Sequence, residues 1–527
     1  MKKLTDYSSY ADAQAHWSAD ALWDLFDGDK QHLNIAHECI DRHANGADGE
    51  KVAVTVVHAA GGDELLTFRS ISEGSSRFAH YLTANGVAAG DRVAIMLEPS
   101  LAFYIALFGV IKMGAIAVPM FTLFGPDALR LRIQDCQPSL LVTNMEKASS
   151  SDFASDVNTL VMDDDCLNGL SQFPGTFTTS TSANDMAIFQ YTSGTTRELP
   201  EAVKHTHKAI VTLMVAALYG TGLRPGDKFF CPSSPAWGHG LWHGTLAPLA
   251  MGLSIGTFSG RFNADRLLSA LATHRFTNMS AAATHYRMMR NSPDFKKHDY
   301  SFNKLSFTGE PIDSSTEADV ERVFKTDICS MYGTTEIGVV LVSYPGAKDF
   351  AVRKGSLGKP IPGARLEVQN PEGSPCAPNE TGEMKVWRQG RWIATKDLGR
   401  IDEDGYFYHG GRADDVIISA GWTMSAVEIE DTLLKHPDVL EAAAIGVPDA
   451  LRGQVVKAFI VSSRKADAYF SKEIQDFVRT QLSQHEYPRH VVFVADLPKT
   501  PAGKIHRKKL RESETAVAEQ AREHITQ

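Results

Sequence analysis

The chain has little of what export, metal binding or nucleic-acid binding requires. Its six cysteines show no paired spacing, which argues against a zinc site and against a disulfide framework. Lysine and arginine total 53 against 63 aspartate and glutamate, and this net charge of −10 argues against a nucleic-acid surface. The N-terminus, from Met1 to Asp6, turns polar at once and lacks the apolar core of a secretory signal. We therefore expect a cytoplasmic protein.

A membrane span and a Walker loop are also missing. The longest apolar stretch runs from Leu101 to Phe124, but Lys112 lies in its middle and Pro119 follows. This stretch predicts a buried helix followed by a buried strand, with no membrane span. No Gly-x-x-x-x-Gly-Lys-Ser/Thr string occurs, which excludes a Walker-type phosphate-transfer ATPase.

The patterns that are present predict an α/β protein. With 527 residues, 43% of them hydrophobic, the chain is too long for one compact core, so we expect at least two domains. Helical patterns such as Ser75 to Asn85 alternate with β-rich runs such as Val93 to Met96. Beyond about residue 340, turn signals such as Pro360 to Gly363 indicate strands and hairpins. An α+β stretch ends the chain, and we place a boundary near Asp414.

The string from Tyr191 to Thr196 predicts a loop that wraps a polyphosphate. It packs four serine and threonine hydroxyls and one glycine into six residues. Gly194 lets the backbone approach an anion, and successive N–H groups there can form an anion-binding nest. The loop therefore points to ATP chemistry, although such a cluster after the apolar run Met186 to Phe189 is also typical of a plain turn.

Six strings follow one another along nearly the whole chain, and their combination is far more specific than any one of them. They are Tyr191 to His207, Thr308 to Pro311, Met331 to Glu336, Lys396 to Gly399, Gly411 to Asp415 and Pro498 to Lys504. In this order they resemble the adenylate-forming superfamily of acyl-CoA synthetases, aryl-CoA ligases, luciferases and peptide-synthetase adenylation domains.

The resemblance implies an α/β fold in two parts. The larger part, residues 1–413, would contain α/β sheets layered with helices and a small β-barrel-like subdomain. The smaller part, residues 414–527, would be a mobile α+β domain that turns about a hinge at Asp414 between two half-reactions.

The resemblance also implies the chemistry. A carboxylate attacks the α-phosphate of ATP, held with Mg²⁺, and a thiol, that of coenzyme A, then displaces AMP from the acyl-adenylate. Lys504 would bridge the carboxylate and the α-phosphate, because negative charge gathers there. Glu336 would hold Mg²⁺, Thr335 would orient a phosphate, and Thr195 is placed with them among the catalytic residues. Gly421 would leave room for the pantetheine arm of coenzyme A.

The nucleotide site follows from the same motifs. Tyr332 would present its ring to the adenine, Asp397 would accept hydrogen bonds from both ribose hydroxyls, and Arg412 would add a charge-assisted contact. Core packing of Tyr332 and a structural ion pair of Asp397 or Arg412 are the alternatives. The remaining residues expected at the nucleotide are Thr192, Ser193, Gly194, Thr196, Gly309, Glu310, Pro311, Met331 and Thr334.

The acid pocket is expected around Pro235 to Trp242. The spacing of Trp237 and Trp242 resembles the acetyl and medium-chain acyl-CoA synthetase branches, although core packing of one of them is as reasonable. Gly333 leaves open a space that acetate-specific relatives close with tryptophan, so we expect a larger apolar acid, medium-chain aliphatic or aromatic. His239 gates the pocket, contacts the carboxylate or is an ordinary satisfied histidine. Gly238 and Gly338 complete the expected pocket.

The chain departs from the family pattern at two places. The phosphate loop is one residue longer from Arg197 to Ala202, and Glu201 stands where a phosphate-facing lysine is common. Arg197 and Lys204 are the candidate replacement cations. The second departure is Thr423, where many members carry an arginine.

We therefore predict an AMP-forming acyl-CoA synthetase whose partners are a small carboxylic acid, ATP and coenzyme A, acting as a monomer or homodimer. Two other functions fit the same motifs. One is a free-standing adenylation enzyme that loads a carrier protein, and the other is a non-catalytic binding relative with an altered phosphate loop.

Overall fold

The computed structural model describes residues 2–124, 126–149, 157–191, 201–334, 337–412, 417–419, 422–449, 452–482, 487–500 and 505–514. These residues form a thirteen-stranded sheet, a six-stranded sheet and, after residue 417, a smaller sheet of five strands. Helices pack on the sheets, so the α/β class predicted from the sequence is confirmed.

The strands alternate with helices in the first half of the chain and follow one another directly in the second. In chain order they are β1 Val52–His58, β2 Asp63–Thr67, β3 Arg92–Met96, β4 Ile116–Pro119, β5 Leu140–Thr143, β6 Thr159–Val161, β7 Met186–Gln190, β8 Val203–Thr206, β9 Lys228–Cys231, β10 Ser254–Ser259, β11 Asn278–Ala282, β12 Lys304–Thr308, β13 Ile328–Thr334, β14 Gly338–Val342, β15 Ser356–Pro360, β16 Leu366–Gln369, β17 Gly382–Arg388, β18 Arg391–Ile401, β19 Phe407–Arg412, β20 Ile417–Ser419, β21 Trp422–Met424, β22 Val439–Asp449, β23 Gly453–Ser462 and β24 His490–Phe493.

The helices are mostly short. They are α1 Tyr10–His16, α2 Arg42–Ala44, α3 Phe68–Ala84, α4 Leu101–Lys112, α5 Pro126–Cys136, α6 Met145–Ser149, α7 Asp164–Gly169, α8 Ala209–Tyr219, α9 Ala247–Ala250, α10 Ala264–Thr273, α11 Ala283–Arg290, α12 Ser314–Phe324, α13 Ala426–Leu433 and α14 Ala468–Gln481. Single 3₁₀ turns span Leu4–Asp6, Trp23–Leu25 and Leu170–Gln172, and π-helical turns span His37–Asp41 and His239–Leu246.

The large sheet is parallel in one half and antiparallel in the other. Strands β1, β10, β9, β11, β12 and β13 pair in parallel in that order. From β13 onward the pairing is antiparallel through β14, β15, β19, β18, β17 and β16, which is the region of hairpins predicted beyond residue 340. The six-stranded sheet has the order β6-β5-β3-β4-β7-β8, and only its β7–β8 pair is antiparallel.

Helices cover both faces of the parallel strands, which explains their continuous apolar sequence. Successive side chains of a strand point to opposite faces, so both faces of such a strand must be apolar. In β9, Phe229 and Cys231 belong to the core that joins the two sheets through α3, α4, α8 and α9. Phe230 between them belongs to the core under α10, α11 and α12 on the other face.

The apolar stretch that begins at Leu101 forms the buried helix and strand expected from the sequence. Ser100 starts α4 by accepting a hydrogen bond from the backbone N–H of Phe103 at 3.3 Å, and β4 follows the helix. None of the described helices is long and apolar enough to cross a membrane.

Lys112, at the end of α4, is fully buried and fully hydrogen-bonded. Its Nζ donates to Asp41 Oδ1 at 2.7 Å, to Ser76 Oγ at 2.9 Å and to the Ser72 carbonyl at 3.1 Å. The Ser72 hydroxyl donates to the same Asp41 oxygen at 2.6 Å. The three protons of the ammonium group therefore meet three acceptors, which is how a buried charge is tolerated.

The residues after 417 have a sheet and cores of their own. Strands β21, β20, β23 and β22 pair antiparallel, and β24 joins β23 in parallel. Their two apolar clusters contain only residues from Ile417 onward. One contact with the larger part is a hydrogen bond from the backbone N–H of Ser314 to Asp431 Oδ1, 3.0 Å long. Asp414, the predicted hinge, lies outside the described residues, so the domain boundary stays a prediction.

The Lys112 cluster makes a testable prediction about the stability of the protein. Asp41→Leu should lower the free energy of unfolding by about 3–5 kcal/mol, because it leaves a buried ammonium without its carboxylate. Adding Lys112→Met should restore much of that loss, because both charges are then gone. Urea denaturation followed by circular dichroism measures both effects. Lys472→Met is the control, since its 2.9 Å pair with Asp476 is exposed and should contribute little. Equal destabilisation by the single and double variants would contradict the assignment.

Candidate active site

One large cleft, with a volume of about 2510 Å³, lies at the carboxyl ends of the parallel strands of both sheets. Ligands of open α/β sheets bind at this edge, because the loops that leave the strands converge there. The loops that line the cleft include Phe121 to Leu123 after β4, Pro232 to Ser234 after β9, Gly260 to Phe262 after β10 and Gly309 to Ser314 after β12.

Glu98, which follows β3, ties the edges of the two sheets together. Its Oε1 accepts a hydrogen bond from the Thr122 hydroxyl, in the loop after β4. Its Oε2 accepts from the backbone N–H of Gly260 at 3.2 Å, in the loop after β10 of the other sheet. The sequence motifs did not indicate this residue, which lies on the cleft wall.

The cleft collects the predicted site residues that the structure describes. It is lined by Trp237, Gly238, His239, Trp242, Gly309, Glu310, Pro311, Met331, Tyr332, Gly333, Thr334, Gly338 and Asp397. The predicted residues Thr192, Ser193, Gly194, Thr195, Thr196, Thr335, Glu336, Asp414, Gly421 and Lys504 lie outside the described residues. For Arg412 the structure describes the backbone, which pairs with Asp397 across β18 and β19.

Tyr332 and Asp397 are joined by a hydrogen bond between distant strands. The phenol of Tyr332 on β13 donates to Asp397 Oδ2 on β18 at 2.5 Å. On the other side, His409 Nε2 of β19 lies 3.8 Å from Asp397 Oδ1. Asp397 is 5% exposed, so its carboxylate is held between two rings at the cleft wall. One of the two oxygens expected at the ribose thus already accepts a hydrogen bond.

The segment Gly309 to Pro311 lines the cleft, and its one charged side chain is anchored by neighbouring residues. Gly309 adopts a φ of +94°, which favours glycine. Glu310 Oε1 accepts hydrogen bonds from the Thr284 hydroxyl and, at 2.8 Å, from Arg287 Nη2 of α11. This anchoring is compatible with the backbone contact to adenine predicted for the segment.

Gly333 is a glycine for a different reason from the one expected. A Cβ at Gly333 would lie 2.2 Å from the carbonyl oxygen of Gly338, across the β13–β14 pair. The close approach of the two strands therefore excludes any side chain at 333 in this arrangement. Gly338 itself has a φ of +70° at the start of β14. Both residues still line the cleft, as predicted.

Trp242 is at once a core residue and a wall of the cleft. It lies in the π-helical turn His239–Leu246, is 7% exposed and belongs to the core between the sheets. Its indole Nε1 donates to Gln190 Oε1 at 2.9 Å, at the end of β7. Trp237, in contrast, is half-buried, and its ring centroid lies 6.3 Å from that of Phe121. Core packing and a place on the wall, the two interpretations given for these tryptophans, therefore both apply to Trp242.

His239 is held by two serines. Its Nδ1 lies 3.0 Å from Ser233 Oγ after β9, and its Nε2 lies 2.9 Å from Ser280 Oγ on β11. The ring is half-buried and lines the cleft. Both ring nitrogens of His239 therefore have partners, and the residue also belongs to the cleft wall.

Two residues at the predicted acid pocket, Gln190 and His205, were not assigned to it from the sequence. Gln190 ends the apolar run before the phosphate loop, and the run carries no other polar side chain. This lone polar residue is the feature of the sequence that could have indicated Gln190. His205 on β8 lies within the string from Tyr191 to His207, and the sequence motifs give it no part in the pocket. Its ring packs on the indole of Trp242 with centroids 4.7 Å apart, and it lines the cleft. Burial lowers the pKa of His205 to about 4, so the ring is neutral at pH 7.

The altered phosphate loop is described only at its end. Glu201 is exposed. Lys204 lies over the ring of Phe189, 5.2 Å from its centroid, and these two residues face each other across β7 and β8. Because side chains alternate along a strand, Lys204 lies on the opposite face of this pair from Gln190 and His205. Arg197, the other candidate cation, and the side chain of Thr423 lie outside the description.

The described residues contain no group of three or more histidine, cysteine, aspartate or glutamate side chains that could hold a metal ion. Glu336, the residue expected at Mg²⁺, is not among them. A carboxylate of that kind supplies the hard oxygen ligand that Mg²⁺ prefers, together with phosphate oxygens of the nucleotide.

Comparison with known proteins gives a consistent family. Residues 40–394 match the family described as AMP-binding enzyme, and residues 428–504 match its C-terminal domain. An uncharacterised acyl-CoA ligase, YtcI, of Bacillus subtilis is 30% identical over 89% of this chain and 94% of its own length. The acetyl-coenzyme A synthetase of the same organism is 30% identical over 91% of this chain and 90% of its length.

A solved structure shows the same architecture. The anthranilate CoA ligase AuaEII in complex with anthranoyl-AMP superposes with a TM-score of 0.84, at 26% identity, over 95% of this chain and all of that one. The family matches cover more than half of the chain, and the relatives are aligned over nearly its full length. The chain therefore belongs to the AMP-binding enzymes of the adenylate-forming superfamily and is an AMP-forming carboxylate–CoA ligase.

Proposed function

We propose that this ligase activates an acid with a largely apolar body, medium-chain aliphatic or aromatic, and that it does so through an acyl-adenylate formed in the cleft. The observation that supports this most is the convergence, in one cleft, of the Tyr332–Asp397 pair, the Gly309 loop and a pocket walled by Trp237 and Trp242. One part of the cleft wall thus suits a nucleotide, and the adjoining part suits an apolar group, both at the ends of the same strands.

In this proposal the nucleotide is held by the pair and the loop. Asp397 receives the ribose, and its contact with Tyr332 orients the phenol ring toward the base. The anchored Glu310 keeps the Gly309 backbone against the other face of the adenine. Arg412, whose backbone pairs with Asp397, is assigned to the same nucleotide. Thr192, Ser193, Gly194, Thr195 and Thr196 are assigned to the phosphates.

Two assignments concern the charge that develops during adenylation. Lys504 is assigned to the carboxylate and the α-phosphate, and Glu336 to a Mg²⁺ ion bound with the nucleotide, which supplies further positive charge to the phosphates. Asp414 is assigned as the hinge that withdraws Lys504 after the first step and brings Gly421 to the coenzyme A thiol. The separate sheet and cores after residue 417 support a part that moves as a unit.

The ribose assignment makes a measurable prediction. Asp397→Ala should raise the KM for ATP roughly ten- to hundredfold in pyrophosphate release, because hydrogen bonds to a charged acceptor contribute about 1.5–3 kcal/mol. Tyr332→Phe, which keeps the ring, should have a smaller effect. Asp404→Asn is the control, since this exposed carboxylate pairs with Arg353 away from the cleft. A destabilised Asp397→Ala enzyme with an unchanged KM would instead favour a structural role.

The two-step assignment predicts separable defects. Lys504→Ala should abolish adenylation, because the transition-state charge loses its cation, while thioester formation from a supplied acyl-adenylate persists. Gly421→Leu should do the reverse, because the leucine side chain fills the path of the thiol. Each half-reaction is measured alone, with Lys509→Ala as the exposed-lysine control. Equal loss of both half-reactions in either variant would refute the division of labour.

The acid is tested by pyrophosphate release with ATP and Mg²⁺ across acetate, octanoate, benzoate, phenylacetate and amino acids, with and without coenzyme A. We expect the highest kcat/KM with octanoate or one of the aromatic acids, because the walls near Trp237 are apolar. Adenylation without any transfer to coenzyme A would favour a carrier protein as acceptor. Silence across the panel would favour the binding relative with an altered phosphate loop.

A further inference from the structure

Gln190 places a polar side chain in the apolar part of the pocket. It stands at the carboxyl end of β7, is 5% exposed and lines the cleft. Its Oε1 accepts the hydrogen bond from Trp242 Nε1 at 2.9 Å. An indole nitrogen only donates, so the atom that faces it has to be the amide oxygen, and the orientation of the amide is thereby determined.

The other end of this amide is its hydrogen-bond donor, Nε2. Gln190 Nε2 is buried and makes no hydrogen bond with the described residues. A buried donor without a partner costs about 1–3 kcal/mol, and leucine or methionine at this position would avoid that cost. Trp242 therefore orients the Gln190 amide, and the Nε2 donor on the side away from Trp242 has no partner among the described residues.

The surroundings of Gln190 determine what kind of group would satisfy it. Trp242, His205 and Gly238 adjoin it: the indole through the hydrogen bond, His205 through its contact with the same indole, and Gly238 with its Cβ position 3.6 Å from Gln190 Oε1. None of these groups is charged at pH 7, since burial lowers the pKa of His205 to about 4. A second carboxylate or an ammonium group would find no counter-charge among these described neighbours, and its desolvation would be costly.

A neutral oxygen fits both polar neighbours. A hydroxyl or carbonyl oxygen accepts a hydrogen bond from the amide NH₂ of Gln190. A hydroxyl can in addition donate to the unprotonated nitrogen of a neutral imidazole such as that of His205. Elsewhere on the wall, Trp237 and Leu213 offer apolar contact to the remainder of the acid.

We propose that Gln190 is a specificity-determining residue and that the preferred acid carries, on its apolar body, one neutral oxygen that accepts a hydrogen bond from Gln190 Nε2. This inference rests on the proposed function and narrows its substrate class to hydroxy- or oxo-substituted acids. The role is binding and discrimination, and no step of the reaction passes through Gln190. A site with a buried hydrogen-bonding group rejects analogues that lack the matching group, because its own polar atoms then stay unpaired.

The experiment compares matched acids. Octanoate is compared with octanoates that carry one hydroxyl or one oxo group at successive carbons, and benzoate with the three monohydroxybenzoates. For each acid, kcat/KM for pyrophosphate release is measured. We expect the best oxygen-bearing member of one series to exceed its unsubstituted parent by about tenfold or more.

Two variants separate the donor from the structural role of Gln190. Gln190→Glu keeps an oxygen for the Trp242 hydrogen bond but replaces the NH₂ donor, so the preference for the oxygen-bearing acid should fall to near unity or reverse. Gln190→Leu should lose the preference as well and should improve turnover of the unsubstituted parent. Gln172→Leu, at an exposed position, is the matched control and should keep the wild-type ratio. Tryptophan fluorescence and the thermal midpoint report whether the variants are folded.

The outcomes distinguish this inference from the proposed function. A wild-type preference for oxygen-bearing acids that disappears in both folded Gln190 variants supports the inference. Turnover of unsubstituted acids with equal or higher kcat/KM overturns it and leaves the proposed function intact. A preference that survives in Gln190→Glu also overturns it, because the donor is then not responsible. No pyrophosphate release with any acid overturns both.

Discussion

The site depends on where the parallel strands end. Parallel pairing in the large sheet and in the six-stranded sheet carries the chain out of each parallel strand at one edge, and helices return it on the faces. The loops after β3, β4, β9, β10 and β12 therefore meet in one cleft, although β3 ends at Met96 and β12 ends only at Thr308. Glu98, bonded to Thr122 and to Gly260, holds the edges of the two sheets together at this place.

Within the cleft, charged and polar groups are positioned by partners from other elements. Asp397 lies between Tyr332 and His409, and Glu310 is held by Thr284 and Arg287. Forming such pairs costs side-chain entropy and desolvation free energy. The folded protein has already included this cost before any ligand binds. In the proposed function, a nucleotide that enters the cleft would therefore meet groups that are already oriented, which is the condition for binding and electrostatic stabilisation without reorganisation.

The proposed acid pocket shows the opposite arrangement, in which a polar atom has no partner among the described residues. Trp242 fixes one end of the Gln190 amide, and the other end makes no hydrogen bond with the described residues. In the buried cluster around Lys112, by comparison, every proton of the ammonium group has an acceptor. The proposed specificity role of Gln190 rests on the Nε2 donor together with the place of its side chain on the cleft wall.

The sequence by itself determined the class of fold, the absence of a membrane span in the Leu101 stretch and the family, because these depend on local patterns and on motifs whose order is readable along the chain. It also indicated the residues of the cleft, such as Tyr332 and Asp397, but not their mutual bond across 65 positions. Only the tertiary structure decided that Lys112 meets Asp41, that Gly333 is required by the backbone of Gly338, and that Gln190 and His205 share the indole of Trp242. The physical reason is common to all of them: a partner that lies far away in sequence leaves no local trace, and hydrogen bonds and packing join residues by their distance in space.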